Sequence, residues 1–195
     1  ATAPGETLTC TATADDGDGG IVTATASGIV GNSNPVLSEV SITPAAGKVD
    51  DVLTCSATAT DPDGGSPTLS YVWSTGESGT TYTITSTDEP GDTITCTVTA
   101  TDLDGGSDTG SATATIENTA PEVTAVTLSP STVYTNDTIT ASATSSDEDG
   151  DSVGLAYEWY VEGSLVAETG ATLDGTTYFD KDDEVYVVVT PNDGS

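Results

Sequence analysis

The sequence repeats itself with a period of 86 residues. Cys10 and Cys96, Asp18 and Asp104, Pro35 and Pro121, Asp61 and Asp147, Tyr71 and Tyr157, and Trp73 and Trp159 all stand that distance apart. Agreement at several independent positions means that each copy is one structural unit. Residues 35–119 form a complete copy, and residues 120–195 a second that carries about five extra residues near 160–180, runs to VYVVVTPNDGS and is expected to lack its last strand. Residues 1–34 match only the last part of a copy, the part equivalent to 87–120. The boundaries fall at NSNP (32–35) and NTAP (118–121), short polar stretches with a proline, which is linker chemistry. The expectation is a window on a longer array.

Within the complete copy the pattern alternates with a period of two. Leu53, Cys55, Ala57 and Ala59 share one face, and Thr54, Ser56, Thr58 and Thr60 the other. Leu69, Tyr71 and Trp73 alternate next, then Tyr82 and Ile84, then Ile94, Cys96, Val98 and Ala100, then Ala112, Ala114 and Ile116. With VLSEVSITP this makes about seven short strands between Gly, Pro and Asp turns, the profile of an immunoglobulin-like sandwich. The predicted fold is therefore all-β: tandem immunoglobulin-like β-sandwich repeats of 86 residues.

Cys55 and Cys96 would face inward on strands B and F of such a sandwich, with Trp73 on strand C between them. In the next copy Ala141 and Val187 take both cysteine positions, as a bonded pair lost together would require. A Cys55–Cys96 disulfide and an oxidising, extracellular or cell-surface setting follow as expectations. Cys10 corresponds to the strand-F cysteine of the partial first copy.

The charge is one-sided. Thirty-two acids face two lysines, Lys48 and Lys181, for a net charge of −30. Nucleic acid and anionic membrane surfaces are polyanions and are excluded as partners; cations are favoured. No apolar run is long enough to insert in a membrane, and nothing reads as a signal peptide.

The acids gather in strand-ending turns. DPDGG (61–65) and DLDGG (102–106) would be the B–C and F–G loops, which share one end of the sandwich. Asp61, Asp63, Asp102 and Asp104 should then converge beside Asn32 and Asn34. Asp147, Asp149, Asp151 and Asp193 should do so beside Glu117 and Asn118, and Asp16 and Asp18 hold the equivalent turn of the partial copy. Asp50, Asp51, Asp88, Glu89 and Asp92 fall in loops of the opposite end, facing the next domain. Bare carboxylates about 5 Å apart repel by about 1 kcal/mol even in water. Calcium, which takes six to eight oxygen ligands in flexible geometry, would relieve that. Solvated turns are the other reading, since Asp-Gly is common turn text. DEDGDS is not an EF-hand loop: its glycine is fourth rather than sixth, and Glu158 lies in an alternating strand.

NTAPEVTAVTLSP, TNDTITASATSSDEDGD and FDKDDEVYVVVTPNDG resemble the tandem immunoglobulin-like repeats of large bacterial and archaeal surface proteins, related in style to PKD and cadherin-like repeats. The resemblance covers the whole chain and implies a secreted, multidomain stalk, adhesin or fibre stiffened by calcium. Its partners would be neighbouring repeats or copies of itself, head to tail. The alternative is an adhesin or carbohydrate-binding module recognising a glycan or surface ligand, but Trp73 and Trp159 alternate with core residues. An enzyme is not expected: histidine and arginine are absent, and the carboxylates recur at every junction, as a joint would and an active site would not. Neither lysine looks buried, as an isopeptide crosslink would need. Asn136-Asp137-Thr138 is an N-glycosylation acceptor pattern.

Overall fold

Threonine, valine and isoleucine dominate the chain's regular segments, and their branched Cβ atoms favour extended backbone. The computed structural model describes residues 2–194 and is accordingly all-β. The strands in chain order are β1 (Thr7–Asp15), β2 (Ile21–Ile29), β3 (Val36–Leu37), β4 (Ser41–Thr43), β5 (Ala46–Gly47), β6 (Val52–Ser56), β7 (Ala59–Thr60), β8 (Thr68–Trp73) and β9 (Thr81–Thr83). There follow β10 (Thr93–Thr101), β11 (Ser107–Ile116), β12 (Glu122–Ser129), β13 (Thr138–Ser146), β14 (Gly154–Val161), β15 (Ser164–Leu165), β16 (Thr172–Asp174) and β17 (Val185–Asn192). They form open sheets, among them β5-β11-β10-β8, β12-β13-β16 and β15-β14-β17. Two compact units interleave along the sequence: Ala1–Ala45, Val52–Tyr82 and Thr93–Ala114 make the first, and Ala46–Asp51, Thr83–Asp92 and Thr115–Ser195 the second.

In the first unit, β1 and β2 pair antiparallel from Thr7↔Ile29 to Asp15↔Ile21, and every residue of both strands is exposed. The rest of the unit has a core. On β8 and β10, Trp73 stands opposite Cys96 and Tyr71 opposite Val98. Ile42 of β4 stands opposite Cys55 of β6. Leu53, Cys55, Trp73, Cys96, Val98 and Ala100 are all but sealed from solvent. Cys55 and Cys96 are joined by a disulfide 41 residues apart in sequence, with Cα atoms separated by 6.4 Å. Trp73 donates its indole N–H to the Gly79 carbonyl (2.9 Å) and packs on Tyr82, ring centroids 5.6 Å apart.

In the second unit, Trp159 plays the same part. It stands opposite Val187 on β17 and donates to the Gly170 carbonyl at 2.9 Å. Ile139, Ala141, Val161, Leu173 and Phe179 complete its core. The extra residues after 160 bring what the strand count had no place for, a four-residue helix α1 (Gly175–Tyr178). Asp174 caps it by accepting from the Thr176 N–H, and Phe179 then turns into the core. Gly175 is required there, because a Cβ would lie 2.7 Å from the Phe179 ring and 2.8 Å from the Asp137 carbonyl.

Candidate metal centre

The acidic turn at 147–151 is built by its own aspartates. Asp147 Oδ1 accepts from the Asp149 N–H at 2.8 Å, an Asx turn, and Gly150 follows at φ +87°. This folds the loop back on the segment entering β12. Thr119 donates its N–H to Asp149 Oδ2 in a short hydrogen bond, and Asn118 Nδ2 donates to Asp193 Oδ2 at 2.9 Å. The Ser86 carbonyl approaches from the 83–92 segment, 3.8 Å from where a Cβ on Gly150 would stand.

Carboxylate oxygens of Asp147, Asp149 and Asp151 lie within 4.8 Å of one another, and among the described residues they are the acidic group close enough to hold a metal ion. Asp149 is only 6% exposed, a rare state for an aspartate without a cationic partner. Four side-chain oxygens here are buried without a hydrogen-bond partner: Asn118 Oδ1, Thr119 Oγ1, Asp147 Oδ2 and Asp149 Oδ1. Each such group costs about 1–3 kcal/mol, and more when charged. Among the described residues no lysine forms an ion pair with Asp147, Asp149 or Asp151. The ion pair among the described residues, Lys181–Asp182, sits on the surface. Clustered oxygens, several anionic and lacking donors, are what a hard cation requires.

The turn at 61–63 is laid out in the same way with a different result. Asp61 Oδ1 accepts from the Asp63 N–H at 2.8 Å, Ser33 donates its N–H to Asp63 Oδ2, and Asn32 Nδ2 donates to Asp102 Oδ2 at 3.0 Å. Here, however, the Ser33 hydroxyl also reaches Asp63 Oδ1 at 3.2 Å, so both oxygens of that carboxylate have donors. Asp102 Oδ1 is likewise met by the Asp104 and Gly106 N–H groups, at 2.9 and 2.7 Å. The Asn32 amide, ahead of the backbone donors, holds the Asp102 carboxyl below its ordinary pKa. Asn34 donates to the Ser107 carbonyl at 3.2 Å, and a Cβ on Gly106 would stand 2.8 Å from Asn34 Oδ1. Asp104 points to solvent, and glycine, Gly65, stands where the other turn has Asp151.

The β1–β2 turn is simpler still. Asp16 Oδ1 accepts from the Asp18 and Gly20 N–H groups at 3.0 and 2.8 Å, which keep its pKa low, and both aspartates are exposed. Two of the acids in the 46–51 and 83–92 loops cap their own turns. Asp51 accepts from the Lys48 N–H at 2.9 Å, and Asp88 from the Thr85 N–H at 2.8 Å. Thr119 is the site residue that sequence reasoning passed over; its 86-residue equivalence to Ser33 was the available signal. Asn136 is exposed, as is the free thiol of Cys10.

No family model matches the sequence, and no curated protein matches it. Among solved structures, one described as "Ca2+-stabilized adhesin helps an Antarctic bacterium reach out and bind ice" is similar to this chain at 18% identity and a TM-score of 0.31. The similarity covers 96% of this chain and 56% of that one.

Proposed function

We propose that the chain is a structural segment of an extracellular fibre, stalk or adhesin, made of immunoglobulin-like sandwiches whose junctions are stiffened by calcium. The observation that carries this reading is the set of four buried, donor-less oxygens at 118–119 and 147–149. Asp147, Asp149 and Asp151 would supply charge, and Asn118 Oδ1 a neutral ligand. A bound cation would cancel the mutual repulsion of the three carboxylates. Because its ligands come from both the linker and the 147–151 turn, it would fix the direction in which the linker enters the sandwich. The all-oxygen, irregular donor set suits calcium better than magnesium, which demands a near-ideal octahedron and keeps its waters. Recognition of a glycan through the two tryptophans finds no support, since Trp73 and Trp159 are 1% and 0% exposed.

The test is calorimetric titration of calcium into metal-free chain, with wild type beside Asp149→Ala. One dominant binding event, lost in the variant, and a calcium-dependent rise in melting temperature are expected. No heat and an unchanged melt would leave only solvated turns.

A further inference from the structure

On β14 and β17, Trp159 and Val187 stand opposite one another and face the core, so the next opposed pair, Tyr160 and Tyr186, faces away from it. Their rings are stacked, with centroids 4.8 Å apart and planes 5° from parallel. That lies at the close end of the range for aromatic pairs. Neither ring is sealed from solvent. In the middle copy the equivalent places hold Ser74 and Thr95, joined only by a hydrogen bond from the Thr95 N–H to the Ser74 hydroxyl at 3.1 Å.

Two phenols held face to face in this way are placed for radical coupling. A phenol that loses an electron and a proton becomes a phenoxyl radical, with spin on the ring carbons ortho to its oxygen. Two such radicals joined through those carbons form a biaryl, dityrosine. Opposed residues on paired strands have Cβ atoms about 4.5–5.5 Å apart. The ring edges can therefore meet by side-chain rotation while the strands stay paired.

The proton also has an acceptor. Glu158 stands two residues before Tyr160 on the same face of β14, and the Tyr160 hydroxyl donates to its Oε2 at 3.5 Å. The Glu158 charge, ahead of burial, holds the Tyr160 phenol above its ordinary pKa, so at neutral pH the ring enters the reaction protonated. An electron leaves such a phenol readily only if a base takes the proton with it, and Glu158 is placed to be that base.

The pair stands, moreover, in the unit that lacks a covalent tie. The middle copy joins Cys55 to Cys96, whereas the second has Ala141 and Val187 at those places. A bond from Tyr160 to Tyr186 would fasten β14 to β17, so that the two strands could no longer unzip.

We infer that Tyr160 and Tyr186 form an oxidative crosslinking site, coupled into dityrosine by an oxidant of the haem peroxidase class using hydrogen peroxide. Each ring gives up one electron and its phenolic proton, that of Tyr160 passing to Glu158 and on to solvent. One C–C bond forms between the ortho carbons, and their hydrogens shift to the oxygens as the rings regain aromaticity. The electrons and protons released cleave the O–O bond of one peroxide and reduce it to two waters.

Neither calcium nor the fibre reading bears on this reaction, so its failure and theirs are separate results. The 195-residue chain, with the exposed Cys10 thiol first alkylated, is treated with peroxidase and hydrogen peroxide, then digested and mapped by mass spectrometry. Dityrosine fluorescence is expected, with a Tyr160–Tyr186 peptide pair two hydrogens lighter than its parts. The chain should remain monomeric, the yield should not depend on protein concentration, and the second unit's melting transition should rise. Tyr160→Phe and Tyr186→Phe keep the stacked rings, and each should abolish that peptide pair. Glu158→Gln should slow its formation and reduce the solvent deuterium isotope effect on the rate, which a merely structural glutamate would leave alone. An unchanged rate and isotope effect in Glu158→Gln overturn the carboxylate's part. No dityrosine, or dityrosine formed only between chains through the exposed Tyr134, overturns the site.

Discussion

The turns at 61–63 and 147–149 have the same hydrogen-bond plan and opposite electrostatic outcomes. In both, an Asx turn presents a carboxylate to a linker N–H, and a linker asparagine donates to a third aspartate. In the first, the Ser33 hydroxyl completes the pairing of Asp63, and the linker residues around it are exposed. In the second, Asp149 is buried, Asp151 adds charge, and four oxygens have no donor. The same Asp-X-Asp-Gly turn therefore makes either a self-satisfied turn or an ion cradle, depending on whether solvent can still reach it and on whether a third aspartate follows.

Chelation should produce the largest separation between the two. Calcium bound at a thousand times its dissociation constant stabilises by about 4 kcal/mol, and that stabilisation belongs to the unit holding Asp147, Asp149 and Asp151. Scanning calorimetry in calcium and in excess chelator should shift one transition strongly and leave the other nearly fixed. Equal shifts of both would mean that the first turn binds as well and that the contrast drawn here is wrong.

Reduction should act the other way round. The Cys55–Cys96 disulfide closes a loop of about forty residues, worth about 3–4 kcal/mol, and the second unit has Ala141 and Val187 at the corresponding places. Reductant should therefore lower the transition that chelator spares. If reductant moves both transitions, the two units do not melt independently.

Much of this was legible in the sequence, and the illegible part has a physical cause. Strand text, the period and the paired loss of two cysteines depend on local alternation and on residue identity. So Trp73, Trp159 and the two cysteines could be placed inside before any coordinates. The turn aspartates could be named but not ranked, because Asp63 and Asp149 each stand third in a similar Asp-X-Asp-Gly turn. What separates them is Asp151 in place of Gly65, which the sequence shows, together with one hydroxyl geometry and the covering of Asp149, neither of which alternation encodes. Helix α1 lay in the residues that broke the period, where the repeat offered no template.

Asp149→Asn sharpens the comparison through a change of sign. With calcium present it should destabilise, since it removes a charged ligand. In chelator it should be neutral or stabilising by about 1–3 kcal/mol, because a buried carboxylate with one oxygen lacking a donor is replaced by a neutral group whose oxygen can still accept from Thr119. Asp63→Asn, at a carboxylate whose donors are all in place, should destabilise modestly in both conditions. Denaturant melts of the two variants in the two buffers decide it, and a destabilised Asp149→Asn in chelator would show that the charge is already compensated.

The smallest effect expected is one of acid, at the first turn. Asp102 is held below the ordinary aspartate value of about 3.9, first by the Asn32 amide and then by backbone donors. A carboxyl depressed by folding contributes stability that is complete above its unfolded pKa and is lost as pH falls through its folded value. Asn32→Ala removes the leading cause, so the Asp102 carboxyl should titrate higher in the variant, and the stability gap between the two proteins should close as pH drops below about 4. The chain's −30 charge runs against this trend, since protonating the other acids relieves repulsion and can stabilise both proteins. The difference between variant and wild type, rather than either melt alone, is therefore the quantity to follow. Carboxyl-detected NMR titration of Asp102 supplies the site-resolved check. A midpoint that does not rise on losing Asn32 would shift the depression onto the backbone donors of the turn, and the asparagine would then serve only to hold the linker.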